Sequence, residues 1–88
     1  MPSYKVVLFS DSLHQQYMID QEIAINDALP QVTTEQATHE DSRLALYSKI
    51  PTRMPCLMIF KDESKMQVKH AKRNHSEIVA WIQSIVGA

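Results

Sequence analysis

The sequence predicts one small α/β domain over residues 1–88: a four-stranded mixed sheet in the order 2-1-3-4, with helices on both faces. Three observations predict it. Two short apolar runs, Lys5–Phe9 and Cys56–Phe60, read as buried central strands. An amphipathic segment closes the chain. Between them the elements run β-α-β-α-β-β-α, which gives an early right-handed crossover between parallel strands and a late hairpin.

Each element follows from local chemistry. Lys5–Phe9 is bounded by Ser10-Asp11-Ser12, which ends the first strand. Ser12 with Gln15 fits a capping box and opens a helix. At about 100° per residue, Leu13, Tyr17, Met18, Ala24, Ile25, Ala28 and Leu29 form its apolar arc. Pro30 disfavours helical geometry at Leu29 and ends it. Gln31–Thr38, with Val32, Thr33 and Thr34, suits a polar edge strand. Thr38 with Asp41 caps a short helix to about Ser48, with Leu44, Tyr47 and Leu46 facing inward. Pro51 and Pro55 bracket a stiff loop.

Cys56–Phe60 is apolar on both alternating faces, the pattern of a central strand covered on both sides. Asp62–Lys65 is a polar turn, and Met66–His70 returns with its lysines outward, which protects a sheet edge. Asn74 with Glu77 caps the last helix, where Ile78, Val79, Trp81, Ile82, Ile85 and Val86 share one face.

The 88 residues allow one domain, and 44% hydrophobic with 22% charged residues is ordinary for a folded chain. Cys56 is the one cysteine, so an internal disulfide and a cysteine-rich zinc site are both ruled out. No stretch approaches the ~20 apolar residues of a membrane span, and the N-terminus lacks a signal-peptide pattern. The expected location is the reducing cytoplasm of a cell or of a virus-infected cell, away from membrane. Charge is unevenly spread. Residues 1–44 hold two basic and seven acidic residues, whereas residues 45–88 hold seven basic and three acidic. Such a dipole bears on orientation and partner choice.

The element order, together with Ile50-Pro51-Thr52-Arg53-Met54-Pro55-Cys56-Leu57-Met58-Ile59-Phe60-Lys61, resembles the thioredoxin-like superfamily in its minimal thioredoxin or glutaredoxin form. By that resemblance Pro55 matches the family's cis-proline, and Phe60-Lys61 match the end of the strand that follows. The last helix is similar to the family's C-terminal helix. Ser12-Leu13-His14-Gln15 stands where the family carries Cys-x-x-Cys, and the loop before Pro55 is about two residues longer. Dithiol–disulfide oxidoreductase activity is therefore not expected.

Two functional readings follow. The resemblance implies a non-catalytic protein-interaction module, an adaptor or assembly subunit, with a binding groove at Ser12, His14, Met54, Pro55 and Cys56. In such a groove an extended peptide can bond to backbone beside the proline. The alternative is a redox or glutathione-linked protein in which the Cys56 thiol forms a mixed disulfide. Against it stands the behaviour of free cysteine as a small buried hydrophobe. Ser12 in the nucleophile position has no assigned general base and reads as a helix cap. Ile19 and Ile23, four apart and off the main arc, form a second candidate surface for a partner or another copy of the chain. Lys65, Lys69, Lys72 and Arg73 form a basic cluster, but no aromatics are interleaved for base stacking, so a solvated edge is favoured over nucleic acid. The four histidines lack ligand spacing. No metal and no cofactor is expected.

Overall fold

Two strands with no polar face carry the middle of the sheet. In the computed structural model, which describes residues 3–47, 54–70 and 74–87, these are β1 (Tyr4–Ser10) and β3 (Cys56–Lys61). The side chains of residues 45–47 and 70 are outside the description. The chain runs β1, α1 (Gln15–Ala28), β2 (Thr33–Thr38), α2 (Ser42–Tyr47), β3, β4 (Ser64–His70) and α3 (His75–Val86). The sheet order is β2-β1-β3-β4, with β1 and β2 parallel and the other pairs antiparallel. The predicted α/β architecture is the one observed.

Strand alternation sorts the apolar residues into two layers. Val6, Leu8, Leu57 and Ile59 point to one face, where Met18 and Ile25 of α1 and Ile78 and Ile82 of α3 bury them. Val7, Phe9, Cys56, Met58 and Phe60 point to the other, where Leu44 of α2 meets them. The last helix thus packs over Leu8, and Phe9 faces α2. Asn74 caps α3 by accepting from the Glu77 N–H at 2.8 Å. Gly87 closes the helix at φ 72°, a conformation that costs glycine little.

Several local expectations are corrected. The first helix begins at Gln15, and the Ser12–Gln15 capping box does not form. Asp11 takes the role instead: its carboxylate accepts from the Leu13 and His14 N–H groups at 3.1 and 3.0 Å. A carboxylate is the stronger acceptor, and its reach two and three residues ahead is that of an Asx turn. Ser12 and Leu13 lie in that turn, so Leu13 is 87% exposed and leaves the apolar arc. Ala28 is also exposed, at the last helical position. Gln21 takes a place on the buried stripe between Met18 and Ile25. Its Oε1 pairs with His75 Nδ1, whose ring stacks on Tyr17 at 4.8 Å, while Gln21 Nε2 is buried without a partner.

Likewise the cap of α2 is Asp41, not Thr38, since its carboxylate accepts from the Arg43 N–H at 2.8 Å. The inward packing of Leu46 and Tyr47, the helix end near Ser48 and the loop from Pro51 lie outside the described residues or side chains.

The β3–β4 turn is tighter than expected. Lys61 pairs with Ser64, leaving Asp62 and Glu63 at φ 52° and 74°. Positive φ at both central residues is the geometry of the two-residue hairpin turn. Beyond it Phe60 pairs with Lys65 but Ile59 with Gln67, so Met66 is an extra residue and bulges from β4.

Candidate functional site

Strand register brings the predicted groove residues together. Phe9 is opposite Cys56 in the antiparallel β1–β3 pair. The end of β1 and the start of β3 therefore share one border of the sheet. The turn at residues 11–14 leaves β1 there, and Met54–Pro55 enters β3 there. β2 ends at the same border, where the His39 N–H donates to the Ser10 carbonyl at 3.1 Å. Ligands of open α/β sheets bind outside such carboxyl ends of parallel strands. The Met54–Pro55 peptide is cis.

The groove residues differ in what they offer. Ser12 is exposed, Met54 half-buried and Pro55 buried. His14 Nδ1 lies 2.7 Å from Asp11 Oδ1, so the imidazole is held against the carboxylate that caps the turn. The His14 hydrogen bond, helped by the two backbone N–H groups, keeps the Asp11 carboxyl below its ordinary 3.8 despite partial desolvation. Asp11 and Leu13 are the site residues sequence reading passed over. The signal for Asp11 was present: an aspartate that directly follows a strand and precedes a turn favours bonds to the backbone two residues on.

Cys56 is fully buried among Val7, Phe9, Met58 and Phe60. Burial pushes its thiol up to about 12. The thiolate is the nucleophile in thiol chemistry, so this sulfur is held in its inert form at neutral pH.

The two other candidate surfaces separate from the groove. Ile19 and Ile23 are exposed on α1. Of the basic cluster, Lys65 and Lys69 lie on opposite faces of the sheet. Lys69 lies opposite Leu57 and so belongs to the α1–α3 face, its ammonium 5.1 Å from the Trp81 ring centre. Lys65 lies opposite Phe60, on the α2 face, because the extra residue at Met66 reverses the alternation. Lys72 and Arg73 lie outside the described residues. Among the described residues no three His, Cys, Asp or Glu side chains group as a metal site. None of the described helices is long and apolar enough to cross a membrane.

No family model and no curated protein matches the sequence. Solved structures do match the fold. The chain is similar to thioredoxin of Fasciola hepatica, with 19% identity over 93% of this chain and 80% of that one, at TM-score 0.74. A mutant thioredoxin from Halobacterium salinarum aligns at 10% identity over 93% and 74%, TM-score 0.76. Thioredoxin-2, a component of the protein secretion machinery of the malaria parasite, aligns at 11% identity over 94% and 84%, TM-score 0.71. The chain has a thioredoxin-like fold, with a single cysteine and so no Cys-x-x-Cys.

Proposed function

We propose that this thioredoxin-like domain is a non-catalytic protein-interaction module that binds an extended segment of a partner across the groove between the Asp11–His14 turn and the Met54–Pro55 peptide. One observation carries the reading. The border where a thioredoxin keeps its dithiol is here a capped, closed turn, from which Leu13 projects with 87% exposure. Held out on a fixed turn at the border where the Met54–Pro55 peptide enters β3, this side chain offers an apolar anchor to a bound segment. The Cys56 thiol, buried and protonated, supports this reading over the redox alternative. Membership of an assembly has a parallel in malarial thioredoxin-2, which is a component of a secretion machinery.

Affinity capture with mass spectrometry tests the proposal, comparing the native chain with Leu13→Asp. Leu13 is exposed, so the variant keeps its fold, which circular dichroism verifies. A partner retained by the native chain and lost by Leu13→Asp supports the groove. Equal retention by both variants places recognition elsewhere. Thiol titration and glutathionylation of the native chain test the alternative: rapid modification of Cys56 under native conditions favours it.

A further inference from the structure

Three sulfur side chains stand in a row at the groove. Cys56 and Met58 alternate along β3 and so share the face that α2 covers. Met54, two residues ahead of the strand, packs on the same layer, which also holds Val7, Phe9 and Phe60. Their burial is graded. Cys56 and Met58 are fully buried, whereas Met54, where the chain enters β3, is half-buried. An oxidant arriving from the groove therefore meets Met54 first.

The two kinds of sulfur also differ in when they react. A thiol must lose its proton to become a nucleophile. Burial pushes the Cys56 thiol up to about 12, so at neutral pH it keeps its proton. A thioether has no proton to lose, and its lone pairs are available at any pH. The other methionines among the described residues lie elsewhere. Met18 is fully buried in the layer under α1 and α3, and Met66 is exposed at the β4 bulge, near the opposite end of β3.

We propose that Met54 is an oxidation-sensitive shutter: a hydroperoxide converts it to the sulfoxide, and the layer beneath it, Cys56 included, then opens to solvent. In that step the Met54 sulfur attacks one peroxide oxygen. The O–O bond breaks, an S–O bond forms, and the other oxygen leaves as water or an alcohol. The sulfur gives up two electrons and the peroxide takes them. The product is polar. Val7, Phe9, Met58 and Phe60 offer the new oxygen no donor, and a thiol offers a weak one. An underpaired oxygen against an apolar layer favours turning out to water, and the packing of the thioether is lost with it. The Cys56 thiol, once wetted, can ionise and react. Oxidation thus begins at a methionine and reaches the cysteine through loss of cover, with no partner needed in the groove.

Dilute hydrogen peroxide on the full chain tests this, followed by peptide mass mapping and by maleimide labelling of Cys56 under native conditions. Met54 should gain one oxygen well before Met18 and Met58, and Cys56 should then label at least ~tenfold faster than in the untreated chain. Circular dichroism should be retained, which marks opening of one layer and not unfolding of the whole. Met54→Leu nearly keeps the volume and removes the sulfur, so the same dose should leave Cys56 at its untreated rate while Met66 is oxidised. Met54→Gln sets a polar group at the same place and should speed labelling with no peroxide at all. Oxidation of Met54 no faster than that of Met58, an unchanged labelling rate in the oxidised chain or in Met54→Gln, equal acceleration in Met54→Leu, or loss of circular dichroism on oxidation overturns the inference. Leu13→Asp should leave the peroxide response intact, so failure of the groove reading and failure of this one are separable.

Discussion

Ile82 is the sharpest probe of how the last helix is held. It is fully buried, in the layer that Val6, Leu8, Leu57 and Ile59 make with α1 and α3. Ile82→Ala removes three carbons from that layer and leaves a cavity, because the flanking strands and helix α1 are fixed by their own pairing. Such truncations cost about 2–5 kcal/mol. An 88-residue domain melts with an entropy of roughly 0.18 kcal/mol per kelvin, from about 2.1 cal/mol/K per residue. A loss of about 3 kcal/mol then lowers the melting temperature by about 15 °C. Total stability on the scale of ~0.05–0.15 kcal/mol per residue leaves little margin beyond that. Gln83→Ala, one residue on and exposed, keeps the backbone carbonyl that accepts from Gly87 and should shift the midpoint within about 0.5 kcal/mol. Thermal and urea midpoints of both variants, taken at one protein concentration, decide it. Equal midpoints refute the docking of α3 on this face of the sheet.

Insulin-disulfide reduction should match the no-protein control, and a thiol reagent should modify Cys56 only once the chain is unfolded; turnover abolished by Cys56→Ser refutes this. Glu35 is held below its ordinary 4.5 by hydrogen bonds from Arg43 and then Lys5, so its share of stability is present above that pH and is lost as the pH falls through the lower folded value. Acid unfolding followed by circular dichroism should accordingly be shallower for Glu35→Gln than for the native chain. Glu63→Gly should raise stability by up to about 1 kcal/mol in urea melts, since φ 74° is strained for a residue with a side chain; no change or a loss refutes strain at that turn.

The frame of the molecule was legible because burial writes itself into sequence. Val6–Phe9 and Cys56–Phe60 have no polar face, and only the middle of a two-sided sheet has that need. Asn74 was equally plain, a short polar side chain three residues before an acidic partner and an apolar stripe. The starts of α1 and α2 were misplaced by a few residues because hydroxyls and carboxylates compete to cap. The carboxylates of Asp11 and Asp41 won in both places. Gln21 was illegible for another reason. A polar residue is drawn into the stripe by His75, 54 positions away, and no local pattern reports such a partner. The sheet border shared by the Asp11–His14 turn and Met54–Pro55 could be located from the strand order alone. The outward direction of Leu13 could not, since it depends on where the first turn of α1 begins.

The extra residue at Met66 interrupts the regular edge that β4 would otherwise present. A strand with two regular edges propagates: each added copy presents a fresh edge, and the product is a filament. Here the β4 border is kinked and carries Lys65, which opposes growth by strand addition on that side. Removing Met66 would straighten β4, restore its alternation against β3 and hand a passing strand the regular edge that the bulge now denies it.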